Sequence, residues 1–268
     1  MVKISVIMGA FNCENTITEA LDSLWNQTFQ DFEVVICDDG STDNTLEILK
    51  KIEKSNSHKV KLLFNEKNQG LNYTLNKCLK AAQGELIARM DADDISLPNR
   101  FETQLLFLQT HEEIDFVSSN MIYFDETGDW GKSSLKKNPE PHDFVKNSPF
   151  AHAPVIIRRE AYEKVEGYTV EDSLLRVEDY HLWIKLYSEG FKGANIEEPL
   201  YKMRENKSAY SRRTFKNRIN DARVRGIAVR KLNLPIQNYI YMLRPIIVGL
   251  LPYSIYNYLH KKNIKDIN

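Results

Sequence analysis

The strongest constraint on this chain is a rhythm in its first 120 residues, where short apolar runs alternate with longer amphipathic stretches. Runs at 4–8, 34–37, 60–64, 85–90 and 115–118 have the length of buried strands. Between them, apolar side chains recur three and four residues apart, as Ala20, Leu21, Leu24 and Trp25 do within 14–27. The same spacing over 42–55, 70–83 and 98–110 predicts three further helices. Alternating strands and helices imply parallel strands joined by crossovers, so the expected fold is α/β, a Rossmann-like, mostly parallel sheet flanked by helices. Ser41-Thr42-Asp43 offers capping oxygens ahead of the second helix, and Pro98 suits the first turn of the fourth.

Beyond residue 120 the rhythm breaks. The segment 124–149 gathers Gly128, Gly131, Pro139, Pro141 and Pro149 with few apolar clusters, and is expected to be a loop-rich excursion. Strands are expected again at 155–158 and 200–203, with a helix at 178–188 carrying Leu182, Ile184 and Leu186. The last third has helical spacing over 214–232 and 239–259, the latter broken by Pro245 and Pro252. This divides the chain into an α/β unit at 1–205, with halves of about 1–120 and 121–205, and a helical tail at 206–268.

The formal net charge of −1 excludes whole-protein attraction to nucleic acid, but it conceals an asymmetry. From Lys202 onward there are 15 Lys and Arg against 3 Asp and Glu, whereas the first 201 residues carry 21 against 34. In the tail, Arg212, Arg213, Lys216, Arg218, Arg223, Arg225, Arg230 and Lys231 precede an apolar, aromatic stretch at 239–259. That order suits an element lying on an anionic membrane surface; packing on the α/β unit, or on a second subunit in a homodimer, is the alternative. The apolar run at 246–251 is too short to span a bilayer. No recognised RNA module accompanies the charge, so nucleic acid is not an expected partner. Three widely spaced cysteines, Cys13, Cys37 and Cys78, and a start without a cleavage signature point to a cytoplasmic protein touching the inner face of the membrane.

In a parallel sheet, ligands bind beyond the carboxyl ends of the strands, and three such ends carry small or acidic residues here. Gly9-Ala10-Phe11-Asn12 follows the first strand, Asp38-Asp39-Gly40-Ser41 the second, and Asp91-Ala92-Asp93-Asp94 the one beginning near residue 85. Carboxylates gathered at one edge repel unless a cation offsets them. Asp91 and Asp93 supply hard oxygen ligands suited to Mg²⁺ or Mn²⁺ completed by substrate phosphates. Capping of a helix after Ile95 is the other reading of the same residues. Asp38 and Asp39 serve equally well as turn formers before Gly40.

Taken in order, these segments resemble the family 2 glycosyltransferases, which have the GT-A nucleotide-sugar-binding fold. The resemblance runs through Ser5–Asn12, Val34–Asp43, Asn68–Leu71, Arg89–Asp94, Phe150-Ala151-His152, Glu166-Gly167-Tyr168 and Glu178–Trp183, and covers roughly residues 3–205. It implies an inverting, metal-dependent hexosyltransferase acting in bacterial surface polysaccharide synthesis. A UDP-sugar would be the donor and a glycan, lipid-linked, the acceptor. By the same resemblance Gly9, Phe11, Asp38, Asp39, Gly70 and Asp91 lie on the nucleotide side, with Phe11 against the base and Asp39 on the uracil imide. Asp93 would hold the Mn²⁺ or Mg²⁺, and Asp179 would be the base that deprotonates the acceptor hydroxyl, with Glu178 as its rival. Asp94 and His152 would stand behind or beside the acceptor, and Asn76 on the donor-side helix contacts the donor or only packs. Three positions depart from the family's pattern, Ala153, Glu166 and Met203, and put the acceptor pocket rather than the donor site in doubt. A sugar nucleotidyltransferase would need a glycine-rich basic loop after the first strand, which Gly9–Asn12 is not, and a non-catalytic membrane scaffold remains the other alternative.

Overall fold

The computed structural model describes residues 2–205 and 215–250. Arg212, Arg213 and Pro252, and the parts of the expected tail at 206–214 and 251–268, lie outside the described residues. Within them, the first half is built from β1 (Ile4–Ala10), α1 (Ile17–Trp25), β2 (Phe32–Asp38), α2 (Thr45–Ser55), β3 (Val60–Phe64), α3 (Leu71–Ala81), β4 (Leu86–Arg89), β5 (Ile95–Ser96) and α4 (Arg100–Thr110). There follow β6 (Phe116–Asp125), β7 (Gly128–Lys132), β8 (Ile156–Arg158), α5 (Arg159–Lys164), α6 (Glu178–Ser188), β9 (Gly193–Arg204), α7 (Phe215–Lys231) and α8 (Leu243–Leu250).

One sheet runs β3-β2-β1-β4-β8-β6-β9-β5, with β7 paired to β6. β1 to β4 are mutually parallel, β8 is antiparallel to both its neighbours, and β6 pairs in parallel with β9. The chain therefore starts mid-sheet, winds outward to β3, and returns past β1 to β4. The reversal opens a crevice at the carboxyl ends of β1 and β4. The strands read as continuous apolar runs because both faces of the sheet are covered. On one face Val6, Met8, Val34 and Ile36 pack with Leu21 and Leu24 of α1 and Phe101 of α4. On the other, Ile7, Val35 and Ile87 pack with Leu75 of α3 and Trp183 of α6. Trp183 is fully buried and stacks on Phe116 at 5.4 Å between ring centroids, so its helical spacing marks core.

The structure differs from the sequence expectation in four places. Residues 124–149 are not purely loop, because β6 and β7 form a hairpin whose turn is set by the Asp125 carboxylate accepting from Thr127 N–H at 2.8 Å and by Gly128 at φ 111°. The expected strand at 200–203 is the end of the longer β9, and the two-residue β5 pairs with it. Of the oxygens expected from Ser41-Thr42-Asp43, that of Asp43 serves α2, accepting from Thr45 N–H at 3.0 Å, whereas the hydroxyls of Ser41 and Thr42 bond to Asn12 instead. Finally, the tail divides. α7 packs on the body through buried Val224, Ala228 and Val229, and Arg225 donates to the carbonyls of Val145 and Lys146 at 2.6 and 2.5 Å and to Asp221 at 3.0 Å. Arg218 and Arg225 are thus buried rather than offered to a surface. By contrast the 3-10 helix Ile236–Met242 and α8 expose Ile236, Ile240, Leu243, Ile247 and Leu250.

Candidate active site

At the carboxyl end of β1 the backbone turns sharply. Asn12 adopts φ 49°, and it donates its N–H to Ser41 Oγ at 3.0 Å while its Oδ1 accepts from Thr42 N–H at 2.9 Å. This clasp leaves Phe11 45% exposed, which rules out ordinary core packing for its ring. Gly9 acts by absence of a side chain: a Cβ there would stand 3.1 Å from Leu71 Cδ1, so glycine lets α3 approach β1 and brings Leu71 to the cleft.

Asp38 and Asp39 at the end of β2 are both buried. The Asp39 carboxylate accepts from Asn65 Nδ2 at 2.8 Å and from the N–H groups of Gln69 and Gly70 at 2.9 Å each. It ties three segments together, and the capacity left for a base edge is a single lone pair. Asp38 Oδ2 accepts from Ser41 N–H at 3.1 Å, while its Oδ1 is buried without a partner among the described residues. Gly40 between the two loops is required twice, by φ 71° and by Lys67 backbone 2.7 Å from where a Cβ would be. Gly70 opens α3 at φ 89°, facing open space.

The acidic run after β4 sits over a buried arginine. Arg89, at the end of β4, pairs with Asp91 at 2.6 Å. Burial opposes its charge, but Asp91 and the tyrosines around it win and raise its pKa. Asp93 keeps its side chain exposed, and its carboxyl is raised by partial burial and then by Asp91. Asp94 is buried and accepts from Arg204 N–H at 2.8 Å, with its carboxyl pushed well up by burial and then by Asp91 and Asp93. Asp94 therefore holds the end of β9 against the run and does not cap a helix. Arg204 in turn donates from Nε to the Asp93 carbonyl at 2.9 Å and pairs with Glu19. Among the described residues no three His, Cys, Asp or Glu side chains gather closely enough to hold a metal by themselves. The donor set is Asp93 with one oxygen of Asp91. Hard oxygens on an acid-crowded rim fit Mg²⁺ or Mn²⁺ completed by phosphate oxygens.

Phe11, Asn12, Leu71, Arg89, Asp91, Asp93 and Arg204 line one cavity of about 590 Å³. Asp179 lines the cavity beside it, of about 540 Å³, with Ser148, Tyr180 and Arg218. Arg176 stands on the wall of both. Asp93 and Asp179 thus belong to adjoining cavities rather than to one. Asp179 lies in the first turn of α6, whose N-cap is Val177, and its carboxyl is pushed up to about 6 by burial first and Glu178 second. Glu178 points elsewhere, into a small cavity with Gly70 and Asn72, and its Oε2 is buried without a partner among the described residues.

Behind the cleft, His152 Nε2 is 2.7 Å from Tyr168 Oη, which is 2.9 Å from Tyr162 Oη. Burial and then Arg89 push the His152 pKa well down, so its imidazole is neutral. Asn76 brackets Tyr168, accepting its N–H and donating to its carbonyl at 2.8 Å each, so it packs the fold and does not face the cleft. His181, two residues after Asp179, lines a separate groove against α7. Arg89, Arg176, Tyr201 and Arg204 were not anticipated from the sequence. An arginine closing the apolar run Leu86–Arg89 is the one local signal that would have pointed to Arg89.

With the geometry in hand, the chain can be set beside known proteins. The Glycosyl transferase family 2 profile matches residues 5–166. EpsE of Bacillus subtilis (strain 168), named as a glycosyltransferase, is 41% identical over 98% of this chain and 95% of its own length. The Escherichia coli UDP-Gal:alpha-D-GlcNAc-diphosphoundecaprenol beta-1,3-galactosyltransferase is 32% identical over 98% of this chain and 97% of its own. The crystal structure of S. aureus TarS 1–349 in complex with UDP-GlcNAc superposes with a TM-score of 0.70 at 22% identity, covering 94% of this chain and 77% of that one.

Proposed function

This chain belongs to glycosyltransferase family 2, and on that premise we propose that it moves a hexose or N-acetylhexosamine from a UDP-sugar to a lipid-linked glycan, with inversion at the anomeric carbon. It is a glycosyltransferase of bacterial polysaccharide synthesis with the GT-A fold. The observation that carries the reaction is the pairing of two cavities across Arg176, one with Asp91 and Asp93, the other with a carboxylate held near 6.

In this reading the nucleotide lies over Phe11 and beside Asp39, with the diphosphate at the acidic run. Asp93 and the oxygen of Asp91 not paired with Arg89 would hold Mn²⁺ or Mg²⁺, which would neutralise charge on the departing diphosphate. Arg89 keeps Asp91 in place, and Asp94 fixes Arg204 above it. Asp179 accepts the proton of the attacking hydroxyl. A carboxyl near 6 is ionised at neutral pH yet more basic than an ordinary aspartate, which is what a general base requires. With one base and no carboxylate placed as a nucleophile, the route is a single displacement, giving a β-linkage from an α-linked donor. The E. coli relative's named donor and undecaprenol-linked acceptor support this choice of substrates.

Residues 1–205 act as the catalytic unit. The exposed apolar residues of the 3-10 helix and α8, beside Lys216, Arg230 and Lys231, rest on the anionic inner face of the membrane, where such an acceptor resides. Among the described residues no helix is long and apolar enough to cross a bilayer. Release of UDP from a panel of UDP-hexoses and N-acetylhexosamines in Mn²⁺ tests the reaction, with Asp93→Ala expected to abolish Mn²⁺-dependent UDP binding. A parent chain that releases no UDP from any of these donors would support a scaffold instead, and turnover unaffected by Asp93→Ala would remove Asp93 from the metal site. Deleting 239–268 is expected to free the protein from anionic vesicles while UDP binding persists; unchanged sedimentation would rule out the surface role.

A further inference from the structure

The cations around the cleft are nearly all spoken for. Arg89 pairs with Asp91, Arg204 with Glu19 and the Asp93 carbonyl, and Arg225 with Asp221 and two backbone carbonyls. Arg176 is the exception: it is exposed, and no hydrogen bond or ion pair engages its guanidinium among the described residues. Its backbone is at φ 69°, a left-handed conformation that costs an arginine on the order of 1–2 kcal/mol. Of the four non-glycine residues with positive φ among the described residues, two, Asn12 and Arg176, line the cavity that holds Asp91 and Asp93. Strain of this kind persists where the surrounding structure imposes a geometry, and it gathers at binding sites. Here it carries an unpaired fork of N–H donors to the boundary between the two cavities.

We propose that Arg176 is a catalytic residue that grips the diphosphate of the nucleotide-sugar donor from the wall shared by the two cavities. The inference rests on the UDP-sugar reading above and adds a contact to it. During transfer the bond between C1 and the β-phosphate oxygen breaks, with its electron pair going to that oxygen. The acceptor oxygen bonds to C1, and its proton passes to Asp179. A planar guanidinium forms two parallel hydrogen bonds to phosphate and stabilises the oxygen on which negative charge grows.

The test compares nucleotides that differ by one phosphate. Calorimetry with UDP and UMP in Mn²⁺ is done on the full chain, on Arg176→Gln and on Arg176→Gly. Glycine suits φ 69°, so Arg176→Gly keeps the loop and removes only the side chain. Both variants are expected to bind UMP as the parent does and to bind UDP about tenfold more weakly, a difference of ~1.4 kcal/mol. Transfer by Arg176→Gly is expected to recover in part when guanidinium ion is added. Equal losses for UDP and UMP, or unchanged UDP affinity in Arg176→Gly, would overturn the assignment while leaving the nucleotide site intact. A parent chain that binds neither nucleotide would overturn both the site and this contact.

Discussion

Asp39 and Asp179 are carboxylates at the same edge of the molecule, yet their surroundings are opposite. Asp39 is held by three donors, one from Asn65 and two from the adjacent Gln69 and Gly70, and serves as a fixed post for the nucleotide-side loops. Asp179 lacks such a set, and burial with Glu178 beside it lifts its carboxyl to about 6. The donor side is tied together by Asp39 and by the Arg89–Asp91 pair at the ends of parallel strands, although Asp38 Oδ1 and Arg89 Nε are buried without partners among the described residues. On the acceptor side the base itself has no comparable tie to distant segments, and Glu178 Oε2 beside it is buried without a partner among the described residues. The first arrangement gives rigidity for recognising a constant group, and the second keeps a base reactive at a measurable cost in stability.

The contrast breaks most visibly at the base. Asp179→Asn is expected to lower the transfer rate by roughly 10³-fold with UDP affinity unchanged, and Glu178→Gln to leave it within about fivefold, as read by UDP release. The parent rate should rise with pH through about 6 as Asp179 ionises. A rate independent of pH from 5 to 8 would remove Asp179 from that role.

Rigidity on the donor side is tested next. Gly40→Ala places a Cβ 2.7 Å from Lys67 backbone at φ 71° and is expected to destabilise the chain by about 3 kcal/mol, measured by urea unfolding. Gly70→Ala meets open space at φ 89°, so its loss is expected near 1 kcal/mol. Equal effects would mean that the clasp between the two loops is not what holds them.

A smaller effect sharpens the acceptor side. A raised carboxyl is favoured in its protonated form by folding, so Asp179 adds stability below its unfolded pKa, and this fades as pH rises through about 6. Asp179→Asn should therefore stabilise the protein at pH 8, by up to about 2 kcal/mol, and not at pH 4.5. Thermal melts at the two values check the sign, and stabilisation at pH 4.5 alone would contradict it.

Much of the donor side was legible in the sequence because each of its functional groups follows a strand whose apolar run announces it. Strand ends, the acidic run and the glycines could be placed from local pattern alone. Roles were harder. The sequence leaves Asp94 between a helix cap and a place behind the acceptor, because its partner Arg204 lies 110 residues away. For Asn76 the sequence leaves donor contact and packing both open, and only the fold shows that it brackets the backbone of Tyr168 from a distant turn. Glu166 stands at φ 55°, a left-handed conformation that the glycine implied there by the family resemblance would adopt without strain. The tail misled in another way: α7 has a charged sequence, but the long side chain of Arg225 reaches inward to carbonyls of the body, something spacing does not reveal.

The most direct test of two cavities acting on one sugar is the stereochemistry of transfer. If hydroxyl attack is guided by Asp179 while the diphosphate leaves toward Asp93, proton NMR of the product from an α-linked UDP-hexose will show a β-linkage. An α-linked product would require a second nucleophile or a different approach, and would contradict the account.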